Sequence, residues 1–464
     1  MTTQRIIGID LAVTAAHRAI VLDTASNCFV SSVISFQANP ADLDRVLEAA
    51  RKGTPPETPI IAVLEATGMA WFSVGIYLQR HGVEVYRVNG RQTADQRRVY
   101  NRHAKSDRID ARVLPRLYLS APERICRMYL PEPPVMELQR ACRELDRLNR
   151  LISACKNRLL ATDGFAWLGL QDVFKPYEAP ARWLRRHWYS PWRVCEAGEA
   201  GLQQAWQEDP PEADQVLDWI PALVEKARQV VAFYGDPSPI DYPHLQDFLV
   251  RELNRLETCE AQKRFLQTKV IHRLYRQLYP QRFLETIPGV GQDSAAVYIA
   301  FIGDIQRFPS SNNFLGWTGM IPFSSQSGET QAKGLHITQA GPDLVKRTAF
   351  LDASIARLYD PQIAAVYYDQ MMHKGKHYLQ AICACSTHLL TRVFAVLRDN
   401  RPLELRDLDG TSVTKHQART ICKQRYFVPD EVRIQNNHRV RTQRRELRLE
   451  QRSQRAEQKQ GSKG

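Results

Sequence analysis

Two short apolar runs each close on a single acid, and this pattern constrains the fold more than any other feature of the chain. Ile6-Ile7-Gly8-Ile9 ends in Asp10, and the run from Pro59 to Leu64 ends at Glu65. Runs of that length, rich in β-branched residues and lacking polar alternation, read as strands buried on both faces, with helices packed over a sheet. A carboxylate closing such a strand costs several kcal/mol unless a cation, a hydrogen-bond partner or a proton compensates it.

The segments around these strands complete an α/β pattern. Apolar runs from His17 to Leu22 and from Cys28 to Phe36 follow β-like spacing and predict a three-stranded meander with the first run. Pro40 to Arg51 and Met69 to Arg80 have helical spacing, and Val83 to Val88 predicts a further strand, so strand and helix alternate as in a mixed sheet covered by helices. Gly90 to Tyr100 is polar and basic. It leads through Arg97, Arg98, Arg102 and His103 to the segment Lys105 to Arg112, where Asp107 and Asp110 stand three positions apart. In the first turn of a helix that spacing places their Cβ atoms roughly 5–6 Å apart. The pair either complements the helix dipole or shares a divalent metal. Arg97, Arg98 and Lys105 beside these acids suit a phosphate backbone brought up to a metal, or else form a solvated face. Pro115 predicts a kink or an early helix end.

A chain of 464 residues accommodates two or three domains. Its net charge of +13 and pI near 9.3 point to a polyanionic partner, nucleic acid foremost. Nine cysteines without paired C-x-x-C spacing indicate a reducing compartment and no structural zinc. No window reaches the ~18 apolar residues that would span a bilayer, so a soluble, cytoplasmic, nucleoid-associated protein is expected.

From Leu138 the apolar positions Ala141, Leu145, Leu148, Ile152, Cys155 and Leu159 follow in steps of three and four. That is a coiled-coil seam, satisfied by an oligomer or by an intramolecular hairpin with a return helix from His244 to about Tyr279. Between them lies a segment rich in Trp and Arg, including Trp183, Arg185, Arg186, His187, Trp188, Tyr189 and Trp192. Such residues either stack on unpaired bases or pack a small helical insert. Pro288-Gly289-Val290-Gly291 has the form of a helix-hairpin-helix turn, whose Gly289 and Gly291 would let backbone N–H groups approach a phosphate. Apolar spacing predicts helices over Asp343 to Arg357, Pro361 to Met372 and His377 to Leu397. From Arg433 onward the chain is Arg, Gln, Glu and Lys, a composition expected to stay mobile, either solubilising the chain or holding nucleic acid by charge.

Asp10, Glu65, Asp107 and Asp110, drawn from two strand ends and one helix, resemble the acid cluster of a ribonuclease H-like fold of the RuvC type. Chemistry of that kind uses two Mg²⁺ ions held by carboxylates to displace a phosphodiester. Adding the seam, Pro288-Gly289-Val290-Gly291, the segment Gly319-Met320-Ile321-Pro322 and Ser327-Gly328, the chain from Arg5 to about Leu397 resembles the DEDD-type insertion-sequence transposases, the insertion sequence one-ten family.

This resemblance implies a RuvC-like α/β domain over residues 1–130 and coiled-coil helices with an aromatic, basic insert over 131–280. It further implies an all-α transposase domain over 281–405, and a polar basic tail over 406–464 stands outside it. It places the metal ligands on Asp10, Glu65, Asp107 and Asp110 and the nucleophile on Ser327, with Ser324 and Ser325 close by. Lys346, Arg347, Lys374 and Lys376 sit where the family keeps basic residues, while Gln339 replaces a lysine common there. Double-stranded DNA, a structured guide RNA and assembly as a homodimer or homotetramer are the partners implied. A junction-resolving nuclease using water, and a non-catalytic nucleic-acid-binding protein, are the alternatives.

Overall fold

The structure, a computed structural model, describes residues 3–65, 68–88, 90–100, 107–120, 122, 125–209, 217–321, 326–327, 330–331, 337–338 and 341–461. The chain divides into two compact units, Met1–Leu130 and Pro131–Gly464.

The first unit is a seven-stranded mixed sheet. β1 (Arg5–Asp10), β2 (His17–Asp23), β3 (Cys28–Phe29) and β4 (Ile34–Phe36) form the meander, with β3 and β4 both pairing with β2. α1 (Pro40–Arg51) is capped by Asn39, whose side chain accepts from the Asp42 N–H, and carries the chain to β5 (Ile60–Glu65). α2 (Ala70–Arg80), β6 (Glu84–Val88), α3 (Gly90–Tyr100), α4 (Asp107–Ser120) and β7 (Cys126–Arg127) follow. β1, β5 and β6 run parallel in that order, and β2 lies antiparallel to β1. Side chains alternate across the sheet. Ile7, Ile9, Ala62 and Leu64 join the core beneath α1 and α2, while Ile6, Ile61 and Val63 join a second core with Leu114 and Leu117 of α4.

Pro115 neither ends α4 nor shortens it; the helix runs on to Ser120. The reason lies on β1. A Cβ built on Gly8 would sit 2.6 Å from Pro115 Cγ and nearer still to Pro115 Cδ and the Ala111 carbonyl oxygen. That carbonyl is the one Pro115 cannot bond, so the helix turns its one interrupted hydrogen bond onto a strand position without a side chain.

The second unit opens with α5 (Pro133–Ala166), followed by α6 (Ala179–His187), α7 (Pro191–Glu208), α8 (Trp219–Tyr234) and α9 (Tyr242–Phe265). The seam from Leu138 to Leu159 is buried throughout, and its later part packs within this chain against Leu249, Leu253, Leu256 and Cys259 of α9. The return helix is interrupted: a π-helical turn over Leu266–Ile271 separates α9 from α10 (His272–Leu278). Trp167, Trp183, Trp206 and Trp219 are buried, and the Trp183 and Trp206 ring centroids lie 5.1 Å apart. Arg185 is fully buried, ion-paired with Asp163, which also accepts from Tyr189 Oη at 2.9 Å. The insert is therefore an aromatic core, and these rings and Arg185 are not displayed for stacking on bases.

α11 (Gln292–Ile302) and α12 (Ser311–Thr318) precede a two-stranded hairpin, β8 (Gln326–Ser327) and β9 (Thr330–Gln331), so the C-terminal part is mostly helical but not all-α. α13 (Asp343–Ala356), α14 (Pro361–Tyr368) and α15 (Tyr378–Asp399) form the bundle. α15 is, against expectation, long and apolar enough to cross a membrane by length and composition. Its Ala381, Ile382, Cys385, Leu389 and Val393 are spent on the core of this unit. The polar tail is also structured: α16 (Lys415–Arg425) starts from a Thr414/Gln417 capping box, and α17 (Asp430–Gly461) is one continuous helix.

Asp352 of α13 is buried and accepts from Ser294 Oγ at 2.6 Å and Tyr298 Oη at 2.7 Å on α11. Desolvation, opposed by these two bonds, pushes its carboxyl up to about 7. Because the folded protein then holds a proton that the unfolded chain releases near 4, stability declines as pH rises from about 4 to about 7, by roughly 1.4 kcal/mol per unit. Asp352→Asn is expected to flatten this dependence, measured as urea midpoints across that range. Gly8→Ala is expected to lower stability by roughly 1–3 kcal/mol or more, since backbone rather than a flexible side chain must yield; thermal denaturation of the two proteins checks it.

Candidate active site

β1 and β5 are adjacent and parallel, so Asp10 and Glu65 close their strands at the same sheet edge. The register pairs Ile9 with Leu64 and thereby sets Asp10 beside Glu65. Alternation puts both on the α4 side, the face of Ile6, Gly8, Ile61 and Val63. Gly90, at the start of α3, makes room there: a Cβ on it would stand 2.9 Å from Glu65 Oε1.

α4 brings the third acid. Ala111 rests on Gly8, and Asp10 is two residues along β1 from Gly8 on the same face, so Asp110 is delivered toward the end of β1. Asp110 is 6% exposed, and Arg97 of α3 donates to both of its oxygens through Nη1, at 2.6 and 2.8 Å. A guanidinium thus stands on this carboxylate where a metal reading would put a cation. Asp107 begins α4, and its side chain lies outside the described residues. Among the described residues no group of three or more His, Cys, Asp or Glu side chains is close enough to hold a metal ion. The three acids share a face without closing into a cage.

The donors are nonetheless suited to a hard cation: carboxylate oxygens, which match Mg²⁺, with no thiol among them. Sequence patterns located the acids but missed Gly8 and Gly90, whose only signal is the absence of a side chain where a helix and a carboxylate crowd the strand ends. Arg97, expected to meet nucleic acid, is turned inward to Asp110, whereas Arg98 is exposed and pairs with Asp95 at 3.2 Å. Lys105 lies outside the described residues.

In the second unit Ser327 closes β8 opposite Thr330, immediately before the hairpin tip. Its side chain lies outside the described residues, as do Ser324, Ser325 and Gln339. Gly289 adopts φ +87°, and a Cβ on it would collide with the Asp352 carbonyl oxygen, so packing of α13 accounts for this glycine. Gly291 caps α11 with open space around it. In the first turn of that helix Asp293 already supplies a negative charge, accepting from Gln267 at 2.6 Å and lying 2.9 Å from His272 Nε2. Lys346 pairs with Asp343 at 2.9 Å, Arg347 with Asp146, and Lys374 with Asp369 at 2.6 Å; Lys376 is half-buried.

Two stretches of the chain match known families. A DEDD-type IS110 transposase model matches residues 7–162, and a model described as the transposase IS116/IS110/IS902 family matches residues 281–368. The chain belongs to the IS110 family of DEDD transposases. An "Insertion element IS110 uncharacterized 43.6 kDa protein" of Streptomyces coelicolor is 28% identical over 227 residues, 48% of this chain and 53% of the relative. A "Pilin gene-inverting protein" of Moraxella lacunata is 31% identical over 128 residues, 28% of this chain and 40% of the relative. A "Probable family 20 transposase" of Pseudomonas aeruginosa is 30% identical over 122 residues, 26% and 35% respectively. The chain therefore spans about half or less of the length of these relatives.

Arg97→Gln leaves the buried Asp110 carboxylate without its cation and is expected to cost roughly 3 kcal/mol. Added Mg²⁺ is expected to raise the melting temperature of Arg97→Gln more than that of the unaltered protein. Arg98→Gln, which removes only a surface pair, is expected to change neither measurement.

Proposed function

We propose that this IS110-family chain is a DNA recombinase that moves or inverts DNA by phosphodiester transesterification. The observation that carries the proposal is the side-by-side placement of Asp10 and Glu65 at adjacent parallel strand ends, with Asp110 delivered to the same face by α4. Asp10, Glu65, Asp107 and Asp110 would hold two Mg²⁺ ions. Those ions, when bound, supply charge neutralisation for the attacking and departing oxygens. For Asp110 to join that set, Arg97 would have to release it.

Ser327 is the nucleophile in this reading. Its Oγ forms a bond to phosphorus as the bond from phosphorus to a deoxyribose oxygen breaks; the hydroxyl proton leaves and the departing oxygen gains one. The phosphoserine conserves the bond, so a second deoxyribose hydroxyl reseals the strand by the reverse step without ATP. The positive net charge supports a polyanionic partner, double-stranded DNA with a guide RNA that selects donor and target. Assembly as a homodimer or homotetramer belongs to the same reading, because two duplexes are cut.

Ser327→Ala is the deciding variant. Incubated with Mg²⁺ and end-labelled element DNA, the unaltered protein is expected to yield a covalent protein–DNA adduct, and Ser327→Ala none. Cleavage that persists in Ser327→Ala would instead support a nuclease using water. If Glu65→Ala left every DNA-processing activity intact, the catalytic reading would fail altogether.

A further inference from the structure

The basic tail and the turn before α15 are remote in sequence but meet in the structure. α17 is docked at its root: Asn436, buried, donates through Nδ2 to the Met371 carbonyl at 2.8 Å, and Asn437 Oδ1 accepts from the Tyr378 N–H at 2.9 Å. Arg439 Nη2 donates to the Gly375 carbonyl at 2.7 Å. Gly375 has φ +54°, and its missing side chain is where the Arg439 guanidinium lies. These contacts set Arg439 against the turn that carries Lys374 and Lys376, and bring Arg441 and Arg444 near His377, where that turn enters α15.

Little offsets that charge. Between Glu431 and Glu446 the helix carries Arg433, Arg439, Arg441, Arg444 and Arg445 and no acid. Arg433 pairs with Asp430, and Asp369 of the turn takes Lys374 and lies 3.3 Å from His373. Arg441, Arg444 and Arg445 are exposed. The charge is felt by the neighbouring His377, which caps α15: burial first, then Arg441 and Arg444, hold its imidazole below its ordinary range. That agrees with its Nδ1 accepting from the Leu379 N–H at 3.2 Å. Lys374 and Lys376 of the turn and Arg439, Arg441 and Arg444 of the anchored helix, with Asp369 paired to Lys374, make a surface in want of anions.

We propose that Lys374, Lys376, Arg439, Arg441 and Arg444 form a composite seat for the phosphodiester backbone of duplex DNA, with α17 lying along the groove. An α-helix fits the major groove of B-form DNA, whereas the deep, narrow major groove of A-form RNA excludes it. The residues are long cations suited to phosphates rather than a set matched to base edges, so the seat holds DNA without reading sequence. It lies beyond residue 368, past everything the family models match, and belongs to the second unit, whereas the acids belong to the first.

Binding of a fluorescent random-sequence duplex of about two helical turns tests this, by anisotropy from roughly 50 to 200 mM salt. Every protein carries Glu65→Ala, so cleavage is silent and failure of the seat is distinct from failure of the catalytic reading. Arg441→Gln/Arg444→Gln is expected to bind roughly ten-fold more weakly, and to lower the slope of log affinity against log salt by about two. Arg251→Gln/Arg264→Gln removes the same charge from exposed positions of α9 and is expected to change neither. An unchanged slope overturns the proposal. So does an equal loss in the α9 control, or a loss confined to an RNA hairpin of equal length. Unaltered melting of Arg441→Gln/Arg444→Gln shows that the helix remains docked.

Discussion

The first unit depends on one close approach, α4 against β1 at Gly8. Two local irregularities cancel there. Pro115 deprives the Ala111 carbonyl of its helical partner, and Gly8 offers a strand surface without a side chain; each would be a liability alone. Together they let a helix lie directly on a strand and bring Asp110 to the end of β1. Because the acid and the contact are adjacent in sequence, the position of Asp110 follows from packing, and it is fixed before any ligand arrives.

Electrostatics then explain the state in which the site is seen. Carboxylates gathered at strand ends repel one another and are costly to bury, so the fold needs a cation near them. Arg97 meets that need at Asp110 with both oxygens engaged. The guanidinium comes from α3 and the carboxylate from α4, so the pair also ties these two helices together.

What the sequence disclosed was whatever repeats locally. The buried strands ending in Asp10 and Glu65, the helix from Pro40 to Arg51 and the seam from Leu138 to Leu159 were legible because period and burial coincide. The seam's partner was not, since steps of three and four serve an oligomer and a hairpin equally. Pro115 misled because its consequence is decided by a glycine more than a hundred residues away. The Trp- and Arg-rich insert misled for a related reason: aromatics beside arginines suit nucleic acid or a core, and only Asp163, paired with Arg185 and Tyr189, decides for the core. The tail looked unable to fold because its composition lacks a core, yet Asn436 and Asn437 dock it by hydrogen bonds that no hydropathy pattern contains. At the candidate site the strand-end positions of Asp10 and Glu65 were legible, and the pairing of Asp110 with Arg97 was not.

Net charge is a guide to a partner only after the internal cations are set aside. Arg97, Arg185 and Arg392 are held by Asp110, Asp163 and Asp360 inside their units, so they add to the count without adding to the surface. Arg347 and Lys346 are likewise paired with acids. Among the described residues α17 displays Arg441, Arg444 and Arg445 with no acid in the preceding turns, while other exposed cations, such as Arg251 and Arg264 of α9, stand elsewhere. A surplus of +13 spread evenly would give only a weak attraction for any polyanion. A row of cations on one anchored helix gives a direction of approach, because the potential near such a row is set by neighbours within a Debye length rather than by the whole chain.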